Sequence, residues 1–127
     1  YTLAILDTAG DVEGHTLVIP KEHVETLIEC RDETAVQTLA TVRLIAEHYV
    51  KECGFDGVNV LSASGKLAQQ SVPHLHFHII PRKAGDKLNI WPALGKDNHD
   101  LKEVWERLRF PTSEPGSSSS DSKEEES

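Results

Sequence analysis

The stretch that most constrains the fold of this chain is residues 71–82, SVPHLHFHIIPR. Successive side chains of a β-strand point to opposite faces of the sheet. A strand here therefore places three histidines on one face and three large apolar side chains on the other: His74, His76 and His78 against Leu75, Phe77 and Ile79. Burial of three imidazoles without hydrogen-bond partners is costly. We predict a strand with one core face and one functional face.

The spacing of the histidines limits what they can bind. Residues on the same face of a strand lie roughly 7 Å apart. Two neighbouring rings can share a zinc ion at about 2.0–2.1 Å per bond, but one ion does not easily reach all three. The row suits an extended anion better, because one neutral ring can act as a nucleophile while its neighbours donate hydrogen bonds to phosphate oxygens.

The histidine stretch resembles the signature of the histidine-triad (HIT) family, in which His-x-His-x-His precedes apolar residues. Residues 14–23, GHTLVIPKEH, resemble a second block of that family. Asp7, Gln70, Ser71 and the pair Trp91 and Pro92 also stand where members carry such residues. The resemblance covers about residues 1–92 and points to the Hint-like branch of nucleotide hydrolases.

The resemblance implies a catalytic role for each member of the triad. His76 would attack the α-phosphorus of a nucleotide, and water would hydrolyse the covalent nucleotidyl-histidine. The backbone carbonyl of His74 would accept the proton on the other nitrogen of His76, and His78 would donate to a phosphate oxygen. Only a neutral imidazole is nucleophilic, and this form predominates at pH 7 in an unperturbed histidine.

The resemblance also implies a set of nucleotide-binding residues: Asp7, His15, Gln70, Ser71 and Trp91. Asp7 would hold the ribose hydroxyls, although an aspartate that merely starts a turn is common. His15 either forms part of the nucleoside pocket or only begins a strand. Gln70 and Ser71 either donate to phosphate or are ordinary polar residues at a strand entry.

Two positions depart from the family pattern. Ala63 stands where members often carry an asparagine, so a phosphate-contacting amide is missing unless Ser62 or Ser64 replaces it. Gln69 replaces a glycine. Both changes affect the predicted phosphate cradle and leave His76 unaltered.

We expect neither a cofactor nor a bound metal. His23 and His74 match the histidine half of a zinc site that some family members complete with an N-terminal CxxC. The two cysteines of this sequence, Cys30 and Cys53, do not form that motif. Two isolated cysteines are typical of a reducing compartment, and we expect a cytoplasmic protein.

The charge of the chain argues against a nucleic-acid partner. The net charge is −8, and residues 111–127 supply half of it. An acidic surface disfavours non-specific binding to nucleic acid. No apolar run approaches the ~18 residues of a membrane span. Residues 1–110 are predicted to form one HIT-like domain, and residues 111–127 a disordered tail rich in serine and glutamate.

The remaining periodicity predicts an α+β domain with an antiparallel sheet, and the resemblance implies a HIT-like fold, usually a homodimer. Strands are predicted at residues 1–6, 15–19 and 57–61, and helices at 22–30, from Asp32 as N-cap to Cys53, and at 100–110. The long helix carries an apolar stripe that is predicted to be core or subunit contact: Ala35, Leu39, Val42, Ala46 and Tyr49. Because Tyr1 opens directly into a strand pattern, we expect the family's first helix and strand to be missing.

The function that the resemblance implies is hydrolysis at the α-phosphate of a purine nucleotide, with a nucleoside phosphoramidase preferred. A dinucleoside polyphosphate hydrolase is the alternative within the same chemistry. Two other classes stay open: a nucleotide-binding scaffold protein with incidental catalysis, which the acidic tail suggests, and a zinc-binding module built on the histidines.

Overall fold

The computed structural model describes residues 2–7, 12–91, 94–95 and 98–111. The first unit, residues 1–91, contains four strands, one long helix and two short 3-10 turns. In chain order they are β1 (Thr2–Leu6), β2 (Thr16–Pro20), a turn (Leu27–Glu29), α1 (Asp32–Lys51), β3 (Gly57–Leu61), a turn (Lys66–Ala68) and β4 (Phe77–Arg82). The strands form one antiparallel sheet in the order β1-β2-β4-β3. The predicted α+β fold is confirmed.

The second unit, residues 92–127, contains α2 (Leu101–Leu108), which confirms the last predicted helix. Asp100 caps it by accepting a hydrogen bond from the backbone N–H of Lys102 at 3.0 Å. Residues 112–127 lie outside the described residues, so the disordered tail stays a prediction. None of the helices in the described part of the chain combines the length and apolar character needed to cross a membrane.

One face of the sheet packs against α1. The core cluster comprises Val18, Val42, Leu75, Phe77 and Ile79. The last three are the residues that the sequence alternation assigned to the core, and they are 1%, 8% and 0% exposed. Each such buried side chain contributes about 1.5–3 kcal/mol relative to an exposed position.

The pairing register defines the other face of the sheet. Leu17 of β2 pairs with His78 of β4, and Leu61 of β3 pairs with the same histidine from the other side. Ile5 of β1 pairs with Leu17. Paired residues lie on the same face of a sheet. This face, which is not the one that packs against α1, therefore combines a histidine with apolar side chains.

The predicted histidine strand is shorter than the sequence alternation indicates, because β4 begins only at Phe77. Pro73 has no N–H to give to a sheet ladder. The N–H of Leu75 donates instead to the carbonyl of Val24 at 2.7 Å. His74 and His76 therefore lie in an irregular segment before the strand, while only His78 lies within it.

The predicted helix at residues 22–30 is wrong, as is the assignment of Asp32 as N-cap. The N-cap residue is Arg31, and its side chain makes no capping bond. The carboxylate of Glu22 lies at this helix end instead. It accepts hydrogen bonds from Arg31 Nη2 at 2.8 Å and from the hydroxyl of Thr34. A negative charge at a helix N-terminus is stabilising. Glu22 therefore lies outside the helices and is bound to the start of α1.

Replacement of Glu22 by glutamine should lower the melting temperature by a few degrees at neutral pH. The Arg31 guanidinium and the Thr34 hydroxyl lower the pKa of Glu22 from 4.5 to about 2. A carboxyl group with a lowered pKa stabilises the folded state above its ordinary pKa and loses that effect as the pH falls through the lowered value. The difference between wild type and variant should be constant above about pH 5 and shrink towards pH 2. Thermal unfolding at a series of pH values measures it, and a pH-independent difference would contradict the role of the charge.

The apolar stripe predicted on α1 divides between core and surface, since Val42 is buried and Tyr49 packs against the core while Leu39 is exposed. The buried residues of the helix are Thr34, Thr38 and Val42, and the Thr38 hydroxyl is satisfied by the carbonyl of Thr34 at 2.7 Å. Leu39 is 52% exposed. It belongs to an open apolar surface between α1 and β3: Val36, Leu39, Ala40, Ala46 and Val60. The homodimer stays a prediction, and this exposed apolar surface is a candidate for its interface.

Candidate active site

The candidate site forms where the end of β1 and the start of β2 lie beside the first residues of β4. Asp7 follows β1, His15 precedes β2, and His76 precedes β4. The N–H of Asp7 donates to the carbonyl of His15 at 2.8 Å, which joins the first two residues through the backbone. The sheet register then brings His78 beside them.

The hydrogen bond of His76 fixes its tautomer. His76 Nδ1 donates to the carbonyl oxygen of His74 at 2.7 Å, the contact that the resemblance implies. A carbonyl only accepts, so in the neutral ring Nδ1 carries the proton and Nε2 carries the lone pair. This is the form that a nucleophilic histidine requires.

The peptide segment around His76 is fixed from both sides. The N–H of His74 donates to the carbonyl of Val72 at 2.8 Å, and the Ser62 hydroxyl donates to the carbonyl of His76 at 3.1 Å. From the sequence, Ser62 is predicted only as a substitute for a missing phosphate ligand. Its observed contact is with the backbone of the candidate nucleophile, which sequence spacing alone does not reveal.

The side chain of His74 is anchored at the end of β2. Its Nε2 donates to the carbonyl of Pro20 at 3.0 Å, and its ring lies edge-on to that of His23 with 5.4 Å between centroids. β2 ends at Pro20, one residue beyond the predicted end at Ile19. A proline is tolerated at the terminus of a strand. The contact of His74 with His76 is made by the backbone carbonyl of His74 and not by its ring.

The structure brings together three other predicted residues in a chain of polar contacts. His15 Nε2 lies 2.9 Å from His78 Nδ1, and Asp7 Oδ2 lies 3.5 Å from His15 Nδ1. The His15 side chain is buried, at 7% exposure, and the rings of His76 and His78 are 5.0 Å apart. His15 therefore contacts both Asp7 and His78, and its role in the nucleoside pocket stays a prediction.

The placement of His15 depends on the residues beside it. Gly14 has a φ of +81°, and a Cβ there would lie 2.9 Å from Pro81 Cγ. The Thr16 hydroxyl donates to the carbonyl of Gly14 at 2.7 Å and lies 2.7 Å from the Tyr49 hydroxyl of α1. The turn that carries His15 is thus held against both β4 and the helix.

Gln70 holds the preceding loop. Its Oε1 accepts from the N–H of Gly65 at 2.8 Å, and its Nε2 donates to the carbonyls of Glu25 and Val72 at 2.7 and 3.0 Å. Both amide groups are therefore engaged with the backbone in this structure. Ser71 is exposed. The phosphate-binding role of both residues stays a prediction.

Gln69, which replaces a family glycine, adopts the left-handed conformation with a φ of 72°. This conformation costs a non-glycine residue about 1–2 kcal/mol. The position therefore keeps the backbone geometry for which glycine is suited.

Arg82 is held by neighbouring residues of the first unit. It donates to Asp86 at 2.9 and 3.0 Å and to Asn59 at 2.8 Å, and it also contacts the carbonyl of Leu88. The hydrogen bond from Arg82 holds the pKa of Asp86 well below its ordinary value. Lys21 is exposed, and Trp91 is 74% exposed, so its predicted nucleotide contact stays untested.

Comparisons with known proteins identify the family and support the fold. The model of the HIT domain family matches residues 1–85. An uncharacterized HIT-like protein of Methanocaldococcus jannaschii is 43% identical over 109 residues, which cover 86% of this chain and 83% of that protein. An adenosine 5'-monophosphoramidase of Schizosaccharomyces pombe is 36% identical over 110 residues, with 84% and 79% covered. The crystal structure of a HIT family member from Bacillus subtilis aligns with a TM-score of 0.75 at 36% identity and covers 89% of this chain and 84% of that one.

Proposed function

This chain belongs to the HIT domain family of nucleotide hydrolases, and on that premise we propose that it is a nucleoside phosphoramidase that acts through His76. Its substrate is a purine nucleotide whose α-phosphate carries an amine. The observation that carries the proposal is the 2.7 Å hydrogen bond from His76 Nδ1 to the carbonyl of His74, which leaves the lone pair on Nε2.

The reaction consists of two displacements at phosphorus. His76 Nε2 attacks the α-phosphorus, the bond to the amine nitrogen breaks, and the amine leaves with a proton that it takes from solvent. Water then attacks the same phosphorus and releases one proton to solvent, the bond to His76 breaks, and the ring regains its original tautomer. Because His74 O stabilises the proton on Nδ1 throughout, the positive charge that develops on the ring is partly neutralised.

The open face of the sheet supplies the binding surface for the nucleoside. Leu3 and Ile5 of β1 are 48% and 42% exposed, and they pair with Ile19 and Leu17 of β2. These four side chains share a face with His78 and offer an apolar surface for a base. Asp7 follows β1 and lies 3.5 Å from His15 Nδ1, and in this proposal its carboxylate accepts both ribose hydroxyls.

The phosphoramidase is preferred over a dinucleoside polyphosphate hydrolase for two reasons. The S. pombe relative is named as an adenosine 5'-monophosphoramidase, and Ser71 and Trp91 match the Hint-like pattern. The main feature that favoured the alternative was Pro81 and Arg82. Arg82 donates hydrogen bonds to Asp86 and Asn59, and this makes it less available to bind a polyphosphate chain.

The proposal predicts that kcat/KM for adenosine 5'-phosphoramidate exceeds that for diadenosine tetraphosphate by at least about tenfold, or ~1.4 kcal/mol in transition-state stabilisation. Initial rates with both substrates under the same conditions measure the ratio. A reversed preference would support the dinucleoside polyphosphate hydrolase. Binding of adenosine monophosphate without turnover of either substrate would support a nucleotide-binding scaffold protein.

A further inference from the structure

We propose that Asp7, His15 and His78 form a site for a divalent zinc ion and that zinc and nucleotide exclude each other. Each of the three residues offers one ligand atom, and these atoms lie within 4.8 Å of one another. Among the described residues this is the one such group of three. It differs from the pair His23 and His74, which the sequence comparison linked to a zinc site in other family members.

The geometry is close to what tetrahedral zinc requires. Bonds of 2.0–2.1 Å at tetrahedral angles place donor atoms about 3.3 Å apart. The imidazole nitrogens His15 Nε2 and His78 Nδ1 are 2.9 Å apart, so a widening of a few tenths of an ångström admits the ion between them. The Asp7 carboxylate lies 3.5 Å from the other nitrogen of His15, Nδ1, and since the three ligand atoms lie within 4.8 Å of one another it has to approach the ion by at most roughly 1.5 Å.

The surroundings favour a cation at this position. Two neutral imidazoles and one carboxylate form a mixed nitrogen and oxygen ligand set that suits zinc, and a water molecule can complete the tetrahedron. His78 lies within β4, and His15, which is 7% exposed, is held by burial beside the start of β2, so both rings are placed before the ion arrives. Rigid placement lowers the entropy lost on binding.

Zinc occupancy has a direct consequence for the site. The ion takes the Asp7 carboxylate that the proposed function assigns to ribose and the His78 ring for which the family resemblance implies a contact with phosphate. This second step of the inference rests on the proposed function. The binding of zinc itself does not, because it needs neither nucleotide nor turnover.

Zinc binding is measured by titration of Zn²⁺ into the whole chain in competition with a chromophoric chelator. We expect one ion per chain and an affinity at least tenfold lower in Asp7→Asn, His15→Gln and His78→Gln. Asp7→Asn keeps the shape of a partly exposed side chain, so it tests the site even where a histidine variant fails to fold. His48→Gln, an exposed histidine on α1, is the matched control and should change the affinity less than twofold.

A second variant separates this site from the other pair of neighbouring imidazoles. His23→Gln should leave the affinity within twofold of wild type. Loss of zinc in His23→Gln, with retention in His15→Gln, would overturn the assignment, and so would equal affinities in all variants.

Mutual exclusion is tested by repeating the zinc titration with adenosine monophosphate. The apparent affinity for zinc should fall in proportion to the nucleotide added. An unchanged zinc affinity, with nucleotide bound, would overturn the exclusion. If adenosine monophosphate fails to bind in the absence of zinc, the proposed function fails while the zinc site stands on its own titration.

Discussion

Replacement of His76 by asparagine is expected to reduce hydrolysis by roughly three orders of magnitude or more while the chain remains folded. Asparagine retains an amide N–H that can donate to the carbonyl of His74, so the local hydrogen bond survives. It has no nitrogen lone pair able to attack phosphorus and cannot leave as an imidazole. The expected loss is in kcat, because the residue acts on the reacting phosphorus.

Single-turnover kinetics with a radiolabelled nucleotide provides the measurement. A rapid quench of the wild type should leave label on His76 through a bond that is labile in acid and stable in base. His48→Asn, on the exposed side of α1, serves as the control for a histidine outside the site. Wild-type turnover in His76→Asn, or label that maps to another residue, would contradict the role of His76 as nucleophile.

Replacement of Gly14 by alanine should destabilise the fold by about 2–4 kcal/mol and disable the site. A φ of +81° is unfavourable for any residue with a Cβ, and that atom would lie 2.9 Å from the rigid ring of Pro81. The backbone must shift to relieve the contact. His15, the next residue, then moves away from His78.

Thermal unfolding checks this effect, with an expected fall in the melting temperature of roughly 10 °C or more. Gly54→Ala is a matched control, since Gly54 has a φ of +84° and a Cβ there meets nothing within 4 Å. It should lose only the ~1–2 kcal/mol of the left-handed backbone. Equal effects of the two substitutions would show that the contact with Pro81 contributes nothing.

Local patterns in the sequence predicted the parts of the structure that local physics determines. The alternation identified the core side of Phe77 and Ile79 correctly, because strand geometry imposes a period of two, and Leu75 is buried as predicted although it lies before the strand. The resemblance supplied the contact between His76 and the carbonyl of His74. Both depend on residues that are close together in the chain.

One error arose because local patterns do not describe contacts between segments. Residues 22–30 form only the short turn at Leu27–Glu29, and the Glu22 side chain is bound to Arg31 and Thr34. The observed contact of Gln70 with the carbonyl of Glu25 joins residues that are 45 positions apart. No short window of sequence contains both Glu25 and Gln70.

The acceptor for the candidate nucleophile belongs to the main chain, and this limits what substitution experiments can reveal. Any amino acid at position 74 supplies the same carbonyl oxygen. A variant of His74 therefore loses the anchor to Pro20 and keeps the group that fixes the tautomer of His76. A complete mutational scan will assign little importance to that hydrogen bond, because it is encoded in the path of the peptide chain and in no particular side chain.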